Sequence, residues 1–195
     1  NNHFSLYQQA IVETDSGKVV INEMLLRLHG NDDELISPAS FIPVAERYGM
    51  MPMIDQWVVR HSLQILQSQL AAGMESMISI NLSGSSFGDD ELLDVFKDVL
   101  TSQPDLAKYV MVEVTETSAV RHIEKAIDFM RELCGLGVCF ALDDFGTGFS
   151  SFAYLKHLPI EYIKIDGTFV RDIMSDPVDQ AMVRSINHIA HSLDK

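Results

Sequence analysis

Apolar positions along the chain fall into two kinds of run. Residues 4–12 and 19–28 are short apolar stretches separated by "TDSGK", whose Asp-Ser-Gly core favours a tight turn, so the pattern predicts an antiparallel pair. The period then lengthens. A helical pattern over 41–48 stops at Gly49, and a longer one over 52–70 starts at Pro52 and ends near Gly73, the usual asymmetry of helix starts and stops. Beyond it, strand runs at 77–83, 109–116, 138–144 and 162–166 alternate with helical patterns near 90–101, 122–134, 150–157 and 178–193. These strand runs are nearly continuous in apolar or β-branched residues, as expected where helices cover both sides of a parallel sheet. Such alternation predicts an α/β fold, either a doubly wound open sheet or a TIM-like (β/α)8 barrel. No GxGxxG follows the first strand, and polar residues recur at the C-terminal ends of successive strands. That second pattern favours the barrel, whose sites are built at that face. Six strands are countable and the chain stops at Lys195, so the expectation is one domain over 1–195, a barrel lacking its last strands.

The strand ends carry the candidate chemistry. In order they are Glu23, Asn81, Glu113 with Glu116, Asp143 with Asp144, and Lys164 with Asp166. Carboxylates and one amide oxygen, with no matching His or Cys cluster, suit hard divalent cations such as Mg²⁺ or Mn²⁺ rather than Zn²⁺. Taken singly, each residue has an ordinary reading as a solvated or turn-forming group. In a barrel, however, these ends converge on one mouth. Parity refines the set: Glu113 and Glu116 are an odd number of positions apart, so on a continuing strand they face opposite ways, one a ligand and the other a support. The same holds for Asp143 and Asp144 unless the glycine turn bends the backbone at the second aspartate, a bend that Gly146 and Gly148 make cheap, and brings both carboxylates to neighbouring ions.

Composition narrows the partners. Fourteen Lys and Arg against 28 Asp and Glu give a formal net charge of −14, which disfavours a nucleic-acid polymer or an anionic bilayer. A phosphate ligand would need cations at the site. No apolar run approaches the roughly 20 residues of a membrane span, and Cys134 and Cys139 have no further cysteines to build a framework. They read as reduced thiols of a cytoplasmic protein.

With these residues in view, the chain resembles the EAL domains, phosphodiesterases that open the bacterial second messenger cyclic di-GMP. The resemblance runs through "NEMLLRL", "FIPVAERYGMMPMIDQWV", "SINLS", "VEVTETS" and "ALDDFGTGFSSFAYLKHLPIEYIKIDGTFV". It implies that Glu23, Asn81, Glu113 and Asp143 hold one metal ion, that Asp143 and Asp144 hold a second, and that Lys164 positions the attacking water. It further implies Glu116 as a catalytic support bracing the loop 145–151, Arg27 as a phosphate clamp, and Gln9 and Asp55 as contacts to the ligand's bases or sugar. The implied chemistry is two-metal hydrolysis with Mg²⁺ or Mn²⁺, giving linear pGpG. Met24 stands in place of the signature alanine and Ala10 in place of a usual proline. The family's later "EGVE"-like strand has no counterpart, so the expectation is a piece of a longer chain that hydrolyses the ligand poorly or not at all by itself. By the same analogy the parent is fused to a GGDEF or sensory domain, in some proteins anchored in the inner membrane, and dimerises through 149–173.

Two other functions stand beside the hydrolase. A non-catalytic cyclic di-GMP receptor is the alternative from a different class; a different metal-dependent barrel enzyme would make the long motif run a coincidence. His188 and His191 read as a surface pair one helical turn apart, Met50, Met51 and Met53 as packing residues, and Ser150 and Ser151 as loop hydrogen-bonding groups.

Overall fold

The structure, a computed structural model, describes residues 3–30, 34–148 and 152–195. Strands β1 (Phe4–Val12) and β2 (Val19–His29) form the antiparallel pair, with Gln9 opposite Glu23 and the turn closed through Gly17 at φ 67°. A two-residue strand β3 (Leu35–Ile36), too short to leave a sequence signal, adds to the end of β2. Helices α1 (Pro38–Arg47) and α2 (Met51–Ala71) follow, each with proline in its first turn, where the missing N–H costs nothing.

Four strands then run parallel to one another: β4 (Met77–Leu82), β5 (Val110–Thr115), β6 (Cys139–Phe145) and β7 (Tyr162–Ile165). Helices α3 (Asp90–Ser102), α4 (Glu116–Arg121), α5 (Ile123–Gly135), α6 (Gly167–Arg171) and α7 (Pro177–Ser192) connect and follow them. The strand order is β1-β2-β4-β5-β6-β7, with β2 and β4 also parallel. Apart from the short β3, each new strand lies beside the one before it and the order never reverses. A doubly wound sheet reverses at a switch point; this sheet winds one way, as a TIM-like barrel does, and remains open between β1 and β7 among the described residues. No helix among them is long and apolar enough to cross a membrane.

Strand alternation divides the core in two. Ile78, Ile80, Leu82, Val110, Val112, Val114, Phe140 and Leu142 pack outward against the helices, meeting Leu63, Leu66, Phe96 and Met130. Residues of the opposite parity, Ile21, Met111 and Ala141, form a separate apolar layer with Ile11, Met77 and Cys139. Two residues further along the same strands, on the same face, stand Glu23, Glu113 and Asp143. The apolar layer is therefore the floor on which the polar strand ends rest.

Two expectations are corrected and one is extended. The fifth strand ends at Thr115 rather than continuing through Glu116, because the Thr115 side chain accepts from the Ser118 amide and caps α4. The helical pattern over 122–134 is preceded by that separate turn of helix, the break falling at His122, where φ is −131°. In place of a helix over 150–157 there is a 3-10 turn, Phe152–Lys156. Ser150 and Ser151 lie outside the described residues.

Candidate active site at the strand ends

Five side chains from five strands meet at the mouth. Lys164 on β7 points its ammonium at three carboxylates: Nζ donates to Glu23 Oε2 (3.4 Å), to Asp143 Oδ2 (3.2 Å) and to Glu113 Oε2. Asn81, in register with Glu113 across β4 and β5, donates its side-chain amide to Glu23 Oε1 at 2.9 Å. Glu113 is 1% exposed, and its Oε1 has no hydrogen-bond partner. Burial pushes the Glu113 carboxyl above its ordinary pKa, with the Lys164 charge opposing that shift. For Lys164 burial acts the other way, toward the neutral amine; the Glu113, Asp143 and Glu23 carboxylates outweigh it and hold the ammonium above its usual pKa.

Among the described residues no three Asp, Glu, His or Cys side chains form a ready-made metal cage; the point on which Glu23, Glu113 and Asp143 converge holds the Lys164 ammonium. The donor set nevertheless fits a hard divalent ion. All the donors are oxygens, three carboxylates face one ammonium, and one buried carboxylate oxygen is left over.

Asp144 reaches the neighbourhood through the bend that the glycine turn allows. The backbone bends at Asp144, with φ 53°, a left-handed conformation that aspartate tolerates better than most residues, and Gly146 follows at φ 103°. The β6–β7 register slips between Leu142 and Phe145 at the same place, so simple alternation no longer separates the two aspartates. Partial burial raises the Asp144 pKa, and the Asp143 and Asp166 carboxylates raise it further. Asp166 itself caps α6, accepting from the Thr168 amide at 2.7 Å.

Glu116 stands apart from this cluster. As the first residue of α4, 2% exposed, it accepts from the Gly146 amide (3.1 Å) with one oxygen and from the Tyr154 hydroxyl (2.7 Å) with the other. Gly148 lies so close that an added Cβ would come within 3.2 Å of the carboxylate. Glu116 thus grips both flanks of the segment that leaves β6. The Tyr154 phenol is raised well above its usual pKa by burial and by that carboxylate. Tyr154 carries no charge and pairs with a residue 38 positions away, so nothing local marked it.

Beside the mouth a cavity of about 290 Å³ is bordered by Arg27, Ile42, Glu46, Asp55, Asn81 and Ser118. Arg27 donates to the Leu26 carbonyl (2.8 Å) and lies over the Tyr7 ring at 5.4 Å, which holds the guanidinium at the cavity edge. Asp55 is 3% exposed, and its Oδ2 accepts from the Ser83 amide (3.0 Å) and the Ser86 hydroxyl (2.6 Å), pinning the turn after Asn81. Burial raises its pKa to about 6. Gln9 is exposed, opposite Glu23 in the β1–β2 pairing.

One-way winding and a polar mouth at the C-terminal strand ends define a TIM-like α/β domain whose site lies where that architecture builds catalytic centres. The family model for the EAL domain matches residues 1–195, and the chain belongs to the EAL domain family. It is 39% identical over 190 residues to cyclic di-GMP phosphodiesterase PdeF of Escherichia coli, covering 97% of this chain and 25% of that protein. It is 37% identical over 189 residues to cyclic di-GMP phosphodiesterase PdeB of Shewanella oneidensis, covering 96% of this chain and 22% of that one. The chain therefore spans about a quarter of the length of these relatives. In structure it matches the phosphodiesterase MucR of Pseudomonas aeruginosa, solved in complex with cyclic di-GMP, with a TM-score of 0.89 at 31% identity; the match covers 98% of this chain and 78% of that one.

Proposed function

We propose that this chain carries the metal-dependent hydrolysis of cyclic di-GMP to linear pGpG. The observation that carries the reading is the convergence of Glu23, Glu113 and Asp143 with one buried Glu113 oxygen unpaired. Relatives described as cyclic di-GMP phosphodiesterases support it. Glu23, Asn81, Glu113 and Asp143 would hold one Mg²⁺ or Mn²⁺ ion, and Asp143 with Asp144 a second. Bound there, the ions supply the charge that lets an acidic mouth accept a phosphodiester and activate water.

The chain's own residues do the rest. Arg27, steadied by Tyr7, takes a non-bridging phosphate oxygen. Lys164 donates a hydrogen bond to the water oxygen that attacks phosphorus, and the ring opens as one P–O bond forms and another breaks. Gln9 contacts the ligand from the exposed strand, while Asp55 acts on it through the Ser83–Ser86 turn. Glu116 keeps the segment after β6 in place. Fusion to a GGDEF or sensory domain, a cytoplasmic location and a homodimer built through 149–173 belong to the same reading; residues 149–151 of that stretch lie outside the described ones.

The test is chromatography of cyclic di-GMP incubated with the chain and Mg²⁺. Linear pGpG that disappears with EDTA and with Glu23→Ala is the expected result. Binding without any linear product, both by this chain and by a longer one that carries the family's later strand, would overturn the enzyme reading in favour of a receptor.

A further inference from the structure

The mouth contains a cation of its own. Three carboxylates on three strands converge on Lys164 Nζ. Among the described residues no other Lys, Arg or His forms an ion pair with any of them. The ammonium balances one of the three negative charges, and its tightest contact is with Glu113, whose side chain is fully buried and whose other oxygen has no partner. Carboxylates held on rigid strands, Glu113 buried and Glu23 and Asp143 only partly exposed, cannot move apart to relieve their repulsion, so a cation at their centre is a condition of the arrangement rather than an ornament.

From this we infer that Lys164 is the resident cation of the mouth, holding Glu23, Glu113 and Asp143 together when no divalent ion is bound and competing with such an ion for the same oxygens. The competition rests on the proposed metal site; the holding role does not. When a divalent ion takes these oxygens, the ammonium is repelled and gives up its contact with Glu113. One residue then serves as a placeholder in the empty site and as a hydrogen-bond donor in the loaded one. The charge balance makes the exchange favourable, because a doubly charged ion answers the surplus that a single ammonium leaves.

The experiment uses the whole chain and its Lys164→Met variant, which keeps an unbranched side chain one atom shorter and removes the charge. In EDTA the variant melts several degrees below the wild type, and Lys164→Arg recovers part of the loss. Calorimetric titration with Mg²⁺ alone then gives at least about tenfold tighter binding to the Met variant, since repulsion between ammonium and ion is gone. In the wild type, the Lys164 ¹⁵Nζ resonance shifts as Mg²⁺ is added, a readout that needs no variant to fold. Equal or higher stability of Lys164→Met in EDTA overturns the holding role. Mg²⁺ binding with unchanged or weaker affinity, or an unmoved ¹⁵Nζ signal during saturation, overturns the competition alone. No Mg²⁺ binding by either protein overturns the competition and the metal reading of the site with it.

Discussion

Glu113 and Asp55 are two carboxylates buried almost equally, 1% and 3% exposed, on elements that flank the same mouth. Burial raises the pKa of both. Their partners differ. Glu113 faces an ammonium and keeps one oxygen free, whereas Asp55 Oδ2 accepts only from an amide and a hydroxyl. A cation beside a buried carboxylate favours the anion and leaves it able to bind another positive species. Neutral donors compensate burial only partly, and the group becomes a fastener. The contrast separates the part of the mouth fit for chemistry from the part that holds it in shape, and Glu116 with Tyr154 falls on the fastening side.

The most forceful way to break that division is Glu113→Gln. It keeps the shape, removes the charge and leaves Lys164 with a weaker neighbour, so linear pGpG formation should fall by about 10²–10³-fold, the scale seen when a group acting on transition-state charge is lost. Chromatography at saturating Mg²⁺ measures it, and a fall of less than tenfold would place Glu113 with the fasteners. Tyr154→Phe is expected to do less. It removes one hydroxyl from Glu116, leaving a buried carboxylate oxygen short of a donor, at a cost of about 1–3 kcal/mol. The melting temperature should drop by several degrees and turnover by about tenfold, with Glu116→Gln behaving alike and the double variant little worse than either single one. Additive losses in the double variant would mean that the two residues act separately.

Much of this organisation was legible in the chain. The turn between 12 and 19, the continuous apolar runs and their alternation with helical patterns located the strands, and the polar residue at each strand end marked the mouth. Glu23, Asn81, Glu113, Asp143 and Lys164 could be assembled because parity is conserved along regular strands. Where the backbone leaves the strand, parity arguments stop working. Thr115 caps a helix and sends Glu116 into a different environment from the one a longer strand would give. Asp144 turns through a left-handed φ beside Gly146, a bend the glycines suggested but whose angle and direction no alternation of faces could give. The contacts made by Tyr154, by Tyr7 with Arg27, and by Lys164 with residues up to 141 positions away depend on tertiary packing that no local pattern encodes.

The finest test of the contrast is the pH dependence attached to Asp55. Its pKa is about 6 in the folded chain against an ordinary value of 3.8. Below the ordinary value the group is protonated in both states and costs the fold nothing. Between about pH 4 and 6 the native state keeps a proton that the unfolded chain has released, so stability falls as pH rises. Above that window the ionised, buried form carries the full penalty, about 3 kcal/mol for a shift of this size. Asp55→Asn retains an oxygen for the Ser83 amide and the Ser86 hydroxyl and has no proton to lose. Its melting temperature, compared with that of the wild type at each pH, should therefore gain as pH rises from about 4 to 6 and hold its lead above that. Cyclic di-GMP turnover should change by less than about threefold, because the turn after Asn81 keeps its two hydrogen bonds. If instead turnover collapses while stability tracks the wild type across the window, Asp55 belongs with Glu113 among the residues that meet the ligand, and burial with neutral partners is no guide to which carboxylates in this mouth are fasteners.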